Sequence, residues 1–138
     1  MFIYLNSILV PDRVFWKDKA VEIILPTLSG QMGILNNHIP VLTGLDTGVM
    51  LIRESSSSDW MVIAVMGGFA LVKNNTVTVL VNEAELPSDI DSENVEAMFL
   101  EAKSDLEKSS EGKAKLEATL KFKKAKARMQ VVNQNKNS

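Results

Sequence analysis

The stretch EIILPTLSGQMGILNNHIPVLTGLDTGVMLIR (residues 22–53) decides the fold, because residues that favour turns separate short β-rich segments within it. Apolar side chains recur at every second position from residue 21 to 25, and Pro26 then removes a backbone donor and ends that strand. Gly30 and Gly33 are spaced as in some phosphate-binding loops, but no helix pattern follows to supply a positive dipole end. We therefore interpret them as a turn, and the stretch predicts a compact β layer.

Short apolar and β-branched segments continue on both sides of this stretch. Lys17-Asp18-Lys19 indicates a turn between two strands, and Asn74-Asn75 indicates a hairpin, since asparagine tolerates positive φ. The serine run 55–58 has too little apolar surface to pack and predicts a mobile loop. With roughly eight to ten short strands in the first 86 residues, the pattern favours a β-sandwich or barrel.

The character of the sequence changes at Pro87. Beyond it alanine, lysine and glutamate dominate, and all three are good helix formers. A first helix, capped by Asp91 or Ser92, is separated by residues 109–112 from a second helix that runs from about Lys113 to Val132. A short break between two helices implies an antiparallel hairpin. We predict a β domain over residues 1–87 and a helical hairpin domain over 88–138 with a disordered C-terminal tail.

The second predicted helix carries two apolar stripes on nearly opposite faces. The first stripe consists of Ala114, Ala118, Phe122, Ala125, Met129 and Val132. The second stripe consists of Leu116, Leu120, Ala127 and Val131. One stripe can pack on the first helix, so the other must be covered by the β domain or by another protein, although alanine-rich helices also tolerate scattered apolar residues.

Charge divides the chain in the same way. Residues 1–87 carry five Lys and Arg against eight Asp and Glu, whereas residues 113–128 carry seven cations and one acid. A basic helix can meet nucleic acid, an anionic membrane surface or an acidic protein patch, or it can be a solvated face. Its single aromatic, Phe122, offers no stacking platform for single strands, and the acidic remainder repels phosphate. We favour an acidic protein partner; a free-standing β-sandwich module with a basic tail for nucleic acid is the alternative.

The composition excludes several functions. Of 138 residues, 46% are hydrophobic and 23% charged, which is typical of a soluble globular protein. Without cysteine there are no disulfides or thiolate sites, and the single histidine, His38, cannot form a metal cluster. No catalytic or nucleotide-binding motif occurs, so we expect no enzyme, cofactor or metal. No apolar window of about 18 residues and no signal-peptide pattern occur, so membrane association should go through a partner.

Three segments carry a resemblance to a known family. They are ILPTLSGQMGILNNHIPVLTGLDTGVMLIR, VMGGFALVKNNTVTVLVNEAE and KAKARMQVV. In order and spacing they resemble the epsilon subunit of F-type ATP synthases, of the chloroplast or cyanobacterial kind, and the resemblance covers essentially the whole chain. It implies a flattened β-sandwich of about ten strands followed by an antiparallel two-helix hairpin.

The resemblance also implies a role. The chain would be a non-catalytic subunit at the foot of the rotating central stalk, where its sandwich grips the gamma subunit and the membrane-embedded c ring and helps to couple ring rotation to ATP synthesis. Its helices would inhibit ATP hydrolysis by extending along gamma and placing the basic second helix near an acidic segment of beta. The resemblance places it on the stromal side of the chloroplast thylakoid membrane, or the cytoplasmic side in a cyanobacterium, attached only through the complex.

The same resemblance assigns particular residues to these partners. The residues that face the c ring would be Ser29, Gln31, Asn37 and His38. The residues that contact beta would be Lys121, Lys123, Lys124, Lys126 and Arg128.

Some bacterial members of the family bind ATP between the helices through an Ile/Leu-Asp-x-x-Arg-Ala pattern. This chain keeps Ile90-Asp91 but has Asn94 and Val95 in place of the arginine and alanine. Because asparagine cannot replace a guanidinium as a phosphate partner, we expect weak or no ATP binding.

Overall fold

The computed structural model describes residues 2–136, which form ten β-strands, one short 3-10 helix and two α-helices. The strands are β1 (Ile3–Val10), β2 (Arg13–Ala20), β3 (Glu22–Thr27), β4 (Gly30–Leu35), β5 (Val41–Leu45), β6 (Gly48–Arg53), β7 (Trp60–Val65), β8 (Gly68–Lys73), β9 (Thr76–Val81) and β10 (Ala84–Glu85). The 3-10 helix is Pro87–Asp89, and the α-helices are α1 (Val95–Lys108) and α2 (Lys113–Lys136).

The ten strands belong to one hydrogen-bonded sheet that folds over on itself into a sandwich. The strand order is β10-β7-β6-β3-β5-β8-β9-β1-β2, and β4 pairs with β3 outside this path. All pairs are antiparallel except β1 with β9. Strand β3 forms a corner, since it pairs with β6 at its start but with β5 only through Thr27. The predicted fold class, a β-sandwich followed by a helical hairpin, is confirmed.

The core lies between the two halves of the folded sheet and follows the period-two pattern of the strands. In β3, Ile23, Leu25 and Thr27 are buried and the residues between them are partly exposed. The strand therefore does not end at Pro26 as predicted, but continues to Thr27. Ile23 pairs with Ile34 on one side and Ile52 on the other, and all three are fully buried. Burying one face of each strand fixes the register, because a slip of one residue would turn these side chains to solvent.

The turn predicted at Lys17-Asp18-Lys19 is wrong. These residues lie inside β2, and the chain turns at Val21 instead. Strand β2 pairs only with β1 and is an edge of the sheet, so its charged side chains are exposed. Charged residues on an edge strand hinder pairing with other chains. The charge cluster therefore marks a sheet edge and not a turn.

The turn predicted at Gly30 and Gly33 is also misplaced. The chain reverses at Leu28-Ser29, and both glycines lie in β4, which pairs with β3 from Thr27–Gly30 to Glu22–Leu35. Gly30 closes the reversal with a φ of 116°. Gly33 lies within the strand, and nothing occupies the space where a side chain would project. The glycine pair is therefore part of a β-hairpin.

Turns lie at the two other predicted loops. Asn74 and Asn75 adopt φ values of 53° and 56° and connect β8 to β9, which confirms the hairpin. In the serine run between β6 and β7, the Ser58 N–H donates to the carbonyl of Ser55 at 3.2 Å, and the Ser55 N–H donates to Ser58 Oγ at 3.0 Å. These bonds close the run into a compact turn.

The two helices form the predicted antiparallel hairpin, in which the rings of Phe99 and Phe122 lie 5.4 Å apart. The prediction that Asp91 or Ser92 caps the first helix is wrong, because α1 begins at Val95 and its N-cap position is Asn94, without a side-chain cap bond. Asp91 instead accepts the N–H of Glu93 in the turn before α1. Helix α2 runs to Lys136, four residues beyond the predicted end at Val132. The end of the predicted disordered tail, residues 137 and 138, lies outside the described residues. None of the helices in residues 2–136 is both long and apolar enough to cross a membrane.

Helix α2 also packs on the outer face of β6 and β7. The residues beneath it, which we call the helix-covered strip, are Val49, Val62, Ala64 and Met66. From the second apolar stripe of α2, Ala127 and Val131 pack on this strip and are buried, whereas Leu116 and Leu120 are exposed. The β domain thus covers half of that stripe, which agrees with the first of the two predicted alternatives.

Candidate interaction surfaces

A group of exposed apolar side chains lies on the outer face of β5, β8 and β9. Its members, which we call the apolar patch, are Leu28, Leu42, Phe69, Leu71 and Leu80, with exposed fractions of 72%, 70%, 59%, 38% and 51%. Strand pairing places Leu42 opposite Leu71, and Phe69 opposite both Gly44 and Leu80. Leu28 lies over Gly44, where its side chain fills the space that a Cβ would take. Contiguous exposed apolar patches on soluble proteins mark binding sites for other proteins.

A groove of about 710 Å³ continues the apolar patch toward the β1–β2 hairpin. Its apolar lining includes Leu9 and Val14 from that hairpin and Phe69 and Leu80 from the patch. The backbone approaches closely here, since a Cβ on Gly68 would stand 1.9 Å from the carbonyl oxygen of Leu80. Together the apolar patch and the groove can bury large apolar side chains of a partner.

The four residues predicted to face the c ring do not form one cluster. Ser29 lies in the turn before β4 and Gln31 near the start of that strand, whereas Asn37 and His38 follow its far end. A six-residue strand separates the two pairs by roughly 17 Å. Of the described strands, β4 is paired with β3 alone, so its outer edge is open along this whole length. A partner that contacts all four residues must therefore extend along β4.

Asn75 holds the Asn37 end of β4 in place. Its Oδ1 accepts the N–H of Asn37 at 2.8 Å, and its Nδ2 donates to Asn36 Oδ1 at 2.8 Å and to the carbonyl of Phe2 at 2.9 Å. His38 Nδ1 lies 2.7 Å from the carbonyl of Ile39, which requires the proton to be on Nδ1. These contacts give the His38 loop a structural arrangement without any sign of catalysis.

Most of the cations predicted to contact beta are engaged within the chain. Lys123 Nζ lies 3.2 Å from Asp46, and Lys124 Nζ lies 3.2 Å from Glu83, so both pairs link α2 to the sandwich. Lys121 instead pairs with Asp105 of α1 at 3.4 Å, inside the hairpin. Lys126 is exposed on α2. In the compact hairpin, the predicted cations therefore pair with the sandwich, pair within the hairpin or are exposed.

Arg128 makes the most complete of these contacts. Its Nε and Nη2 atoms each donate to one carboxylate oxygen of Glu85 at 2.8 Å, and the side chains are 27% and 20% exposed. These hydrogen bonds raise the pKa of Arg128 above its ordinary value, against the opposing effect of burial. Such two-pronged contacts are the strong form of the ion pair, because both donors of the fork are used.

A cavity of about 370 Å³ lies between the 3-10 helix and the two α-helices. Its charged lining consists of Glu85, Asp89, Asp91 and Arg128. Glu85 already occupies the guanidinium of Arg128, so the remaining carboxylates oppose a phosphate group. The geometry adds a second reason to expect weak or no ATP binding.

Sequence reasoning missed the apolar patch and the acidic partners of the basic helix. Leu42, Phe69 and Leu80 belong to alternating strand patterns, but which face of the sheet is buried depends on the folded topology. Asp46, Glu83 and Glu85 lie between 41 and 77 residues from their cations, and only the net negative charge of the sandwich pointed to them.

The chain combines a β-sandwich that has an exposed apolar face with a basic helical hairpin that ion pairs hold against it. These features define a class of protein that acts by binding other proteins. Comparison with family models places it within that class. Residues 6–87 match the ATP synthase delta/epsilon chain β-sandwich domain, and residues 88–133 match the long α-helix domain of the same family. The chain belongs to the ATP synthase delta/epsilon chain family.

Curated relatives agree along almost the whole chain. The chloroplastic ATP synthase epsilon chain of Euglena gracilis is 54% identical over 130 residues, covering 94% of this chain and 96% of the relative. That of Chlorella vulgaris is 58% identical over 127 residues, covering 92% and 93%. The predicted family and the prediction of a non-catalytic ATP synthase subunit are confirmed, and the nucleic-acid alternative finds no support.

Two solved structures share the fold. A chain in a cryo-EM structure of the Euglena gracilis mitochondrial ATP synthase, OSCP/F1/c-ring, aligns with a TM-score of 0.78 at 18% identity, covering 96% of this chain and 80% of that one. A chain in the central stalk/c-ring structure of the Tetrahymena thermophila mitochondrial ATP synthase aligns with a TM-score of 0.60 at 18% identity, covering 96% of both chains. At this identity the likeness concerns the architecture alone.

Proposed function

We propose that the protein is a rotor subunit of a chloroplast-type ATP synthase, which docks on the gamma subunit and the c ring and restrains ATP hydrolysis through its helices. The apolar patch is the observation that carries the proposal. An exposed apolar surface of this extent is costly in water unless a partner covers it. The solved structures with the same fold come from complexes described as central stalk or F1/c-ring, which supports a rotor partner.

The apolar patch is the proposed contact with gamma. Replacing Phe69 and Leu80 by threonine keeps residues that suit a strand but removes the two large apolar side chains that the patch and the groove share. We expect the double variant to lose binding to a gamma-containing F1 complex by at least about 100-fold, since well-packed interface anchors contribute about 2 kcal/mol or more each. Leu100→Gln, which changes an exposed apolar residue on α1, is the matched control. Equal binding of wild type and double variant would refute the proposal.

The c-ring contact is proposed to run along the open edge of β4, including Ser29, Gln31, Asn37 and His38. Because the chain has no cysteine, single cysteines at these positions can be crosslinked in the assembled enzyme without background. We expect crosslinks to the c ring from cysteines at both ends of β4, with Lys17→Cys on the edge strand β2, which does not pair with β4, as the control. If none of the four positions reaches the c ring, the assignment is wrong.

The helices are proposed to inhibit hydrolysis when they leave the compact hairpin, extend along gamma and bring Lys121, Lys123, Lys124, Lys126 and Arg128 to an acidic segment of beta. Two packings of one element, biased by competing partners, make a two-state switch. Ending the chain after Pro87 should leave assembly and proton-coupled ATP synthesis intact but raise ATP hydrolysis. Removing only residues 133–138 is the control for truncation itself. Unchanged hydrolysis in the shorter chain would count against the inhibitory role.

The names of the relatives support a proposal about where the protein lies. Those compared above are named chloroplastic, and we place the protein on the stromal side of the thylakoid membrane, bound there only through the complex. Fractionation of chloroplasts tests this: the protein should follow the thylakoids and be released together with gamma.

A further inference from the structure

Three carboxylates on the sandwich face the basic helix. They are Asp46, Glu83 and Glu85, which we call the acidic rim. Asp46 follows β5, while Glu83 and Glu85 lie beside and within β10, so the rim flanks the helix-covered strip. Each rim residue pairs with a different cation of α2, namely Lys123, Lys124 and Arg128.

The three pairs are unequal in quality. Lys124 contacts one oxygen of Glu83, and Lys123 lies 3.2 and 3.4 Å from the two oxygens of Asp46. Both lysine pairs join half-exposed groups, which contribute little individually. The Glu85–Arg128 pair is two-pronged and the least exposed of the three. It lies beside the buried residues Ala127 and Val131, so one turn of α2 combines the strongest ion pair with the apolar contact.

The same three cations belong to the set that the proposed function assigns to beta. A lysine or arginine held by a sandwich carboxylate cannot at the same time bind a carboxylate of another subunit. Lys121 and Lys126 differ, because Lys121 pairs within the hairpin and Lys126 has no ion pair among the described residues. Among the described residues, neither of these two cations is ion-paired to the sandwich in the compact state.

We propose that the acidic rim is an internal counterpart of the acidic segment of beta, and that the regulatory switch is an exchange of carboxylate partners by Lys123, Lys124 and Arg128. Asp46, Glu83 and Glu85 then set how readily the helices become inhibitory, although they never touch beta. This inference rests on the proposed inhibitory role. In this inference, three sandwich residues compete with beta for the same cations.

The docked state can be measured directly on the isolated full chain. Val62 lies in the helix-covered strip and is 6% exposed, and the chain has no cysteine, so Val62→Cys introduces a single thiol that can be labelled only when α2 moves away. In this background we expect Glu85→Gln to accelerate labelling by about tenfold, since hydrogen bonds between charged groups are the stronger ones. Asp46→Asn and Glu83→Gln should each accelerate it by about two- to threefold.

Asp105→Asn is the matched control, because it removes the carboxylate that Lys121 uses inside the hairpin and leaves the rim intact. It should leave the labelling rate unchanged. If the rim variants label no faster than Asp105→Asn, the rim does not hold the helix and the inference is refuted.

The consequence for inhibition is tested in the assembled enzyme with the native residue at position 62. The rim variants should inhibit ATP hydrolysis at lower subunit concentration than wild type, because their cations are more often free. Faster labelling together with an unchanged half-inhibitory concentration would overturn the exchange.

Reversing the pair separates docking from exchange. Glu85→Arg combined with Arg128→Glu should restore slow labelling while weakening inhibition, because the cation has moved to the sandwich. If the reversed pair inhibits as well as wild type, the exchange is refuted. Failure of the broader proposal looks different, since the chain ended after Pro87 would then leave hydrolysis unchanged whatever the labelling rates.

Discussion

Val131→Ala is the sharpest test of how the helical hairpin is held on the sandwich. Val131 is fully buried and packs on the helix-covered strip. The substitution removes two methyl-sized groups, and at about 0.8 kcal/mol for each it should weaken docking by about 1.6 kcal/mol, before any cost of the cavity left behind. That free energy corresponds to about a 15-fold shift of the docking equilibrium toward the released hairpin.

The assay is thiol labelling of Val62→Cys, which reports the fraction of time that α2 is away from β7. Labelling should become about 15-fold faster in Val131→Ala, provided that release is rapid and reversible. Leu120→Ala is the matched control, since Leu120 belongs to the same stripe of α2 but is 48% exposed and should change docking by less than about 0.5 kcal/mol. Equal labelling rates in the two variants would refute the reasoning, because burial would then not distinguish the two halves of the stripe.

Three further predictions concern the sandwich and the cavity. Gly68→Ala should lower the free energy of unfolding in urea by more than about 2 kcal/mol, because the new Cβ would clash with the Leu80 carbonyl and because Gly68 has a φ of 148°. Gly33→Ala, where the side chain would project into open space, should lower it much less. Asn75→Gly keeps the positive φ but loses the side-chain hydrogen bonds to neighbouring segments, so it should lower the free energy of unfolding by about 1–3 kcal/mol in the same assay. An unchanged unfolding midpoint would show that these hydrogen bonds are dispensable. Calorimetry should detect no micromolar binding of ATP, and a clear binding isotherm would contradict the charge argument.

The elements that local chemistry determines were predictable from the sequence. Two successive asparagines can adopt positive φ without help from the rest of the fold, so the hairpin at Asn74-Asn75 was identified correctly. The helices were also evident from composition beyond Pro87, although α2 extends further than its apolar pattern. Elements that can be recognised only from their strand pairing were predicted wrongly. Lys17-Asp18-Lys19 resembles a turn unless the strand is known to be an edge, and Gly33 resembles a turn residue unless its pairing with Ile24 is known.

The candidate surfaces also include features that the local sequence determines and features that only the folded topology determines. The basic character of α2 is local and was recognised, but its partners Asp46 and Glu85 meet it only because β10 closes beside β7 and α2 crosses β6 and β7. The apolar patch could not be predicted, because Leu42 and Val72 look alike in sequence while one is 70% exposed and the other 1%. The residues assigned to the c ring and to beta came from resemblance, and their contacts remain predictions.

The parallel pairing of β1 with β9 has a consequence for the order of folding. The β1–β2 hairpin joins the rest of the sheet through a strand that is made some seventy residues later, between Ser7 and Thr78, whereas the β3–β4, β6–β7 and β8–β9 hairpins can form as they are synthesised. Contacts that are distant in sequence form slowly, because a long loop must close first. The groove beside the apolar patch takes one wall from the β1–β2 hairpin and the other from β8 and β9, so it exists only after this last step. A partner that grips the groove would therefore select completed sandwiches and leave unfinished chains unassembled.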